Sequence, residues 1–290
     1  MKHNNNFTTI HILAAFMVIY GHQYALLQKT APLILSNSMH GLGVRILFLV
    51  SGYLVSASYM RSRKPVSFLG KRLIRLYPSL MICLLLCVIC LYPLSETKEH
   101  YWSSAKSYIF FNLSMRPKFD IAGLFTRNPF PSSVNGSLWT LPIEIGCYFF
   151  LIPIVEICSG CRTKTGTAIL LFILMISLSL FDVLRAIYYP DKRLIIWHNN
   201  LFDAINLAIW FFIGMCFCLL EFEKKCNWQI ATVATLFLAG TNGGIRAFLT
   251  PYVVSYDVMC FGLAAPPLFH NAFNMACTYT LFQFSKHSLA

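Results

Sequence analysis

His22, Arg45 and Glu144 each stand in a run of apolar residues. An ionisable side chain in such a run is costly, and its usual work is on a substrate, an ion or a proton. Histidine offers a general base, arginine a permanent cation, and glutamate a second acid–base group or a partner for the histidine. His11 precedes His22 by eleven positions. On a helix that is about three turns plus 20°, so both face one side, about 16 Å apart. Arg72 and Arg75, three apart, share a helical face and suit a phosphate clamp. Simpler roles stand beside these: interfacial anchoring for the histidines, snorkelling for Arg45, and cytoplasmic retention for the basic residues.

Such groups need helices to hold them. The chain has 290 residues, 57% hydrophobic and 12% charged, with a mean hydropathy of +0.62. A soluble domain would be about one quarter charged. The apolar residues come in long runs, so the expected fold class is an all-α polytopic membrane protein. No polar stretch is long enough for a separate domain, and residues 1–290 are read as one integral unit. The first run has no small-residue cleavage site and little positive charge before it, so it is kept as a mature span.

About 20 apolar residues make a crossing. Eight spans are expected, at 9–27, 41–60, 77–94, 138–157, 166–184, 201–220, 229–243 and 248–265. The stretch 105–113 is too short to cross and reads as re-entrant or interfacial. Residues 61–75 hold Arg61, Arg63, Lys64, Lys71, Arg72 and Arg75 with no acid, which places this segment, and hence the N-terminus, in the cytoplasm. Arg162, Lys164, Lys224 and Lys225 then also fall inside. Retention alone accounts for Arg61, Arg63 and Lys64. His22, Arg45 and Glu144 all enter from the outer side and converge in depth. Ser137 is the expected N-cap of the fourth span, and Trp139 suits the interface. Ser51-Gly52 reads as a helix-packing notch. Asp257 falls in mid-span without an evident partner.

The net charge of +12 matches cytoplasmic loops and does not call for nucleic acid. Most of the eleven cysteines lie inside apolar runs. Cys158 and Cys161 form one CxxC with no second pair, so no metal is expected. There is no phosphate loop, GxSxG or HExxH. Intramembrane His, Arg and Glu also fit a proton or small-solute transporter, but neither internal repeats nor paired broken helices are present.

Four segments together, "LAAFMVIYGHQYAL" (13–26), "GVRILFLVSGYLVS" (43–56), "FLGKRLIRLYPSL" (68–80) and "NGSLWTLPIE" (135–144), resemble the acyltransferase 3 family, membrane-bound O-acyltransferases of bacterial surface polysaccharides. The resemblance implies a core of roughly ten helices in the bacterial inner membrane. It implies an acyl-CoA donor, here acetyl-CoA, reached from the cytoplasm, and a saccharide or lipid-linked glycan acceptor near the outer side; no bound cofactor is implied. His22 matches the family's essential histidine and would be the general base. Glu144 matches its carboxylate after the Trp motif and would orient His22 or hold the acceptor. Arg72 and Arg75 match its basic pair and would bind the donor's phosphates. Arg45 matches its second-helix arginine and would stabilise charge or position the acceptor. The family carries an arginine where this chain has His11, and an acid where it has Thr8. The final stretch, "FNMACTYTLFQFSKHSLA", falls one or two spans short of that pattern, so a truncated, inactive copy is a further reading.

Overall fold

The computed structural model describes residues 6–35, 37–161, 163–222 and 226–264. Its helices are α1 (Phe7–Leu26), α2 (Met39–Ser62), α3 (Pro65–Leu91), α4 (Lys98–Leu113), α5 (Thr140–Gly160), α6 (Lys164–Tyr188), α7 (Leu201–Leu219), α8 (Trp228–Gly240) and α9 (Gly243–Ala264). Two minimal antiparallel hairpins sit in loops: β1 (Leu33–Ile34) with β2 (Asn37–Ser38), and β3 (Ile195–Ile196) with β4 (Asn199–Asn200). Among the described residues six helices, α1, α2, α3, α5, α6 and α7, are long and apolar enough to cross a membrane. The chain is an all-α polytopic membrane protein. α8, at 13 residues, is only about 20 Å long, short of a bilayer core.

α2 and α7 form the axis of the bundle. A Cβ on Gly52 would lie 1.9 Å from Phe211 O, and one on Gly214 would lie 2.0 Å from Leu49 O. The two glycines thus notch each other's backbone, as small residues do between membrane helices. The packing expected of Gly52 is what the fold shows. Leu49, Val50, Phe211 and Met215 are fully buried around this crossing. α1 runs antiparallel along α2, and Gly21 lets the start of α2 close in, because a Cβ there would meet His40 N at 2.5 Å.

Several expected boundaries move. The third helix begins at Pro65, not at residue 77. Arg63 takes a left-handed conformation (φ 43°) and caps α2; Lys64 is extended, and Pro65 opens α3. Arg72 and Arg75 therefore lie on a helix continuous with the apolar span. The break between the last two helices falls at Thr241–Asn242 rather than at 244–247. Ser137 is no helix cap: it lies in a 3-10 turn, Gly136–Trp139, and Asn135 Oδ1 accepts from its backbone N at 3.1 Å. Asp257 does have a partner, since Thr235 Oγ1 donates to its Oδ2 at 2.6 Å and ties α8 to α9.

The stretch 105–113 belongs to α4, which runs back along α3. Tyr101 OH donates to Val88 O (2.6 Å) and Tyr77 OH donates to Leu113 O (3.2 Å), so the two helices are antiparallel. α4 turns at Met115 (φ 56°). Asn112 stitches that turn, bonding Lys118 O (2.8 Å) and Lys118 N (3.2 Å). The return strand of chain packs Ile121 and Leu124 with Tyr101, Tyr108, Leu84 and Val88 in a second core. α4 therefore descends part of the way along α3 and comes back. Arg162, Lys224, Lys225 and 273–290, and the side chain of Lys164, lie outside the described residues.

Candidate active site

Two cavities meet at Glu144. The larger, about 650 Å³, takes His11 from α1, Ser51 from α2, Arg72 and Arg75 from α3, and Glu144 and Tyr148 from α5. Arg61, at the end of α2, lines it too. The smaller, about 270 Å³, takes His22 from α1, Ser51 from α2, Trp139 from the 3-10 turn, and Glu144. Leu47, Ser51 and Glu144 line both cavities. One chamber is thus rich in guanidinium groups, the other holds an imidazole, and a carboxylate stands in the wall between them.

Local structure aims each group. His22 Nδ1 lies 2.8 Å from Val18 O. A carbonyl only accepts, so Nδ1 is the donor, and in the neutral ring the lone pair is on Nε2. The contact thus selects the tautomer a general base requires. The same i−4 contact holds His11, whose Nδ1 lies 2.8 Å from Phe7 O. The His40 ring packs edge-on against His22, with centroids 5.2 Å apart. Glu144 Oε1 accepts from Ser51 Oγ at 3.2 Å and from the Tyr148 hydroxyl one turn along α5. The Arg72 guanidinium lies beside the edge-to-face pair Phe68 and Tyr148, its Cζ 5.6 Å and 5.9 Å from the ring centroids. Such cation–π contact favours arginine over lysine.

The structure brings together most of the expected residues, but not all. His11, Arg72, Arg75 and Glu144 share the large cavity, and His22, Trp139 and Glu144 share the small one. Among the described residues no hydrogen bond joins Glu144 to His22. Arg45 is not with them: it turns toward α7, where its Nε donates to Asn206 Oδ1 at 2.9 Å and its Nη1 to Asn37 Oδ1. Arg61, accounted for above by retention, also lines the large cavity. Ser51, assigned above to packing, is a ligand of Glu144. Tyr148 and His40 were not singled out; the spacing Glu144–Tyr148 (i, i+4) was the signal for the first, while His40 meets His22 only through the α1–α2 turn. Among the described residues no three His, Cys, Asp or Glu side chains converge as a metal site would need.

Comparison with known proteins assigns the chain to a family. The family model described as an acyltransferase domain covers residues 4–290. An O-acetyl transferase of Shigella phage Sf6 is 34% identical over 264 residues, spanning 88% of this chain and 75% of that protein. Nodulation protein 10 of Rhizobium leguminosarum bv. viciae is 30% identical over 264 residues, spanning 83% of this chain and 68% of the relative. No solved structure matches the chain significantly. The extent of these matches, over the helices that carry His22, Arg72 and Glu144, shows that the chain belongs to the acyltransferase 3 family and is a membrane acyltransferase.

Proposed function

We propose that the protein transfers an acetyl group from acetyl-CoA to a saccharide hydroxyl across the wall between the two cavities. The observation that carries this reading is that wall: Ser51 and Glu144 face a basic chamber on one side and a histidine chamber on the other. The name of the phage relative supports acetyl as the group moved. In this reading the basic end of the bundle and the N-terminus are cytoplasmic, in a bacterial inner membrane, and the smaller cavity opens outward.

Arg61, Arg72 and Arg75 hold the donor's phosphates, which suits charge-assisted bonds to a polyanion. His11 adds a titratable group where a fixed cation would serve the same end. The thioester reaches the Glu144 wall. His22 Nε2 removes the proton of the acceptor hydroxyl, whose oxygen attacks the thioester carbon. The new C–O bond forms, the C–S bond breaks, and CoA leaves as a thiolate that takes up a proton. Both hydroxyl donors to Glu144 converge on Oε1, and no described residue bonds Oε2. Oε2 is therefore the oxygen that orients a sugar hydroxyl toward His22. Trp139 supplies an aromatic face for the sugar ring.

A positioned general base contributes about 10²–10⁴-fold in rate. His22→Ala should lower transfer of radiolabel from acetyl-CoA to the polysaccharide fraction of membrane vesicles by that factor. The variant should still insert in the membrane and still bind acetyl-CoA. An unchanged transfer rate would sink the assignment, and solute uptake without label transfer would favour a transporter.

A further inference from the structure

His40, the second residue of α2, stands beside the histidine assigned as the base. Its place is set by the backbone around it. Gly21 precedes His22 on α1, and a Cβ there would lie 2.5 Å from His40 N and 2.7 Å from His40 Cβ. Three residues along α2, a Cβ on Gly43 would lie 2.7 Å from Ala14 O of α1. Each glycine lets the other helix in, and the closure carries His40 to His22. The His40 nitrogens do little there. Nε2 lies 3.5 Å from Ser38 Oγ, at the outer limit of a hydrogen bond, and Nδ1 is buried without a partner among the described residues. The firm contact is ring to ring: His40 and His22 meet edge to face, at 68° and 5.2 Å between centroids.

His40 lines neither reaction chamber. What it does for the site it therefore does through His22. Within α1, His22 is held by its Nδ1 bond to Val18 O at 2.8 Å. A half-turn of the ring about Cβ–Cγ would break that bond and exchange Nδ1 with Cδ2 and Nε2 with Cε1. The chamber would then meet a carbon where the base should be. The His40 ring packs against that turn from the neighbouring helix. An aromatic pair of this kind shifts a two-state population by roughly 2- to 12-fold.

We infer that His40 is a positioning residue for His22: its ring locks the orientation in which Nδ1 meets Val18 O and Nε2 faces the smaller chamber. The lock rests on the geometry of the two rings. Its bearing on the reaction rests on the acyl-transfer reading above.

The tests use the full chain in detergent. Histidine labelled with nitrogen-15 reports the tautomer by NMR at about pH 8, where a free imidazole is neutral. The His22 signals are those lost in His22→Ala. The wild-type protein and His40→Phe, which keeps a ring at this place, should both show His22 protonated at Nδ1. In His40→Ala the ratio of tautomers should move by roughly 2- to 12-fold toward the other form. In transfer assays His40→Ala should lower kcat by a similar factor with KM for acetyl-CoA within about twofold, and His40→Phe should restore kcat. In a His22→Ala background, adding His40→Ala should make no further difference, because nothing is left for it to position. If His40→Ala lowers the melting temperature, His40→Leu, apolar and without a ring, takes its place. His22 signals unmoved by the ringless variants, a fall in kcat as deep in His40→Phe as in His40→Ala, or a further fall in the His22→Ala background overturns the proposal. The NMR measurement needs neither donor nor acceptor. Absence of transfer by the wild-type protein would therefore sink the acyl-transfer reading while the tautomer ratio still tests the lock, and failure of the lock leaves the His22→Ala expectation standing.

Discussion

Tyr148→Phe removes one oxygen atom and separates two functions that meet at that side chain. The hydroxyl donates to Glu144 Oε1, which also takes Ser51 Oγ at 3.2 Å. The ring faces the Arg72 guanidinium, 5.9 Å from its centroid. Phenylalanine keeps the ring and loses the donor. A hydrogen bond to a charged group contributes about 1.5–3 kcal/mol. At about 1.36 kcal/mol per tenfold, its loss corresponds to roughly 10- to 150-fold in rate. Ser51 still holds the carboxylate, so the lower part of that range is expected, about 10- to 30-fold in kcat. The KM for acetyl-CoA should stay within about twofold, because the donor's arginine keeps its aromatic support. Initial rates of label transfer from acetyl-CoA by purified protein measure both constants. Tyr148→Ala is the companion: it should show the same fall in kcat and also a rise in KM, since a cation–π contact contributes about 0.5–2 kcal/mol. If Tyr148→Phe raises KM and leaves kcat unchanged, Glu144 and Tyr148 belong to donor binding and not to the chemistry, and the reasoning fails.

The crossing of α2 and α7 and the arginine face of α3 give two further expectations. Gly52→Ala places a Cβ 1.9 Å from a backbone oxygen that cannot swing aside; it should lose at least the roughly 1–3 kcal/mol typical of overpacking, seen as a lower melting temperature in detergent. Gly146→Ala on α5, where nothing lies within 4 Å of the added carbon, should change stability by less than about 0.5 kcal/mol, and equal effects of the two would refute the notch. Arg72→Lys keeps the charge but not the guanidinium's contact with Phe68 and Tyr148, so KM for acetyl-CoA should rise more than in Arg75→Lys. Equal KM values would refute the role given to that contact.

What could be read from the chain is what depends on one helix at a time. Apolar runs located the six helices long and apolar enough to cross, though the expected spans at 229–243 and 248–265 correspond to α8 and α9, which are not among those six; spacing put His11 with His22 and Arg72 with Arg75 on common faces. What could not be read is how those faces are rotated against neighbours. Arg45 illustrates this: α2 presents it to Asn206 of α7 rather than to Glu144. Asp257 looked unpartnered because Thr235, its donor, lies 22 residues away on another helix. The start of α3 was hidden for a different reason. Arg and Lys lower hydropathy but are good helix formers, so charge there marks the membrane edge and not the helix edge. Arg185 stands just past the expected end of the fifth span, where a boundary by hydropathy leaves it in a loop.

The descending and returning path of residues 98–135 bears on any attempt to map which side of the membrane each loop occupies. A segment that enters and leaves by the same face does not change the parity of crossings. Reporter fusions placed before α4 and after the return, near Thr97 and near Val134, would register the same compartment. A fusion within the Asn112–Lys118 turn would interrupt the bonds that fold the segment back. Counting α4 as a crossing would invert the inferred sidedness of every later helix.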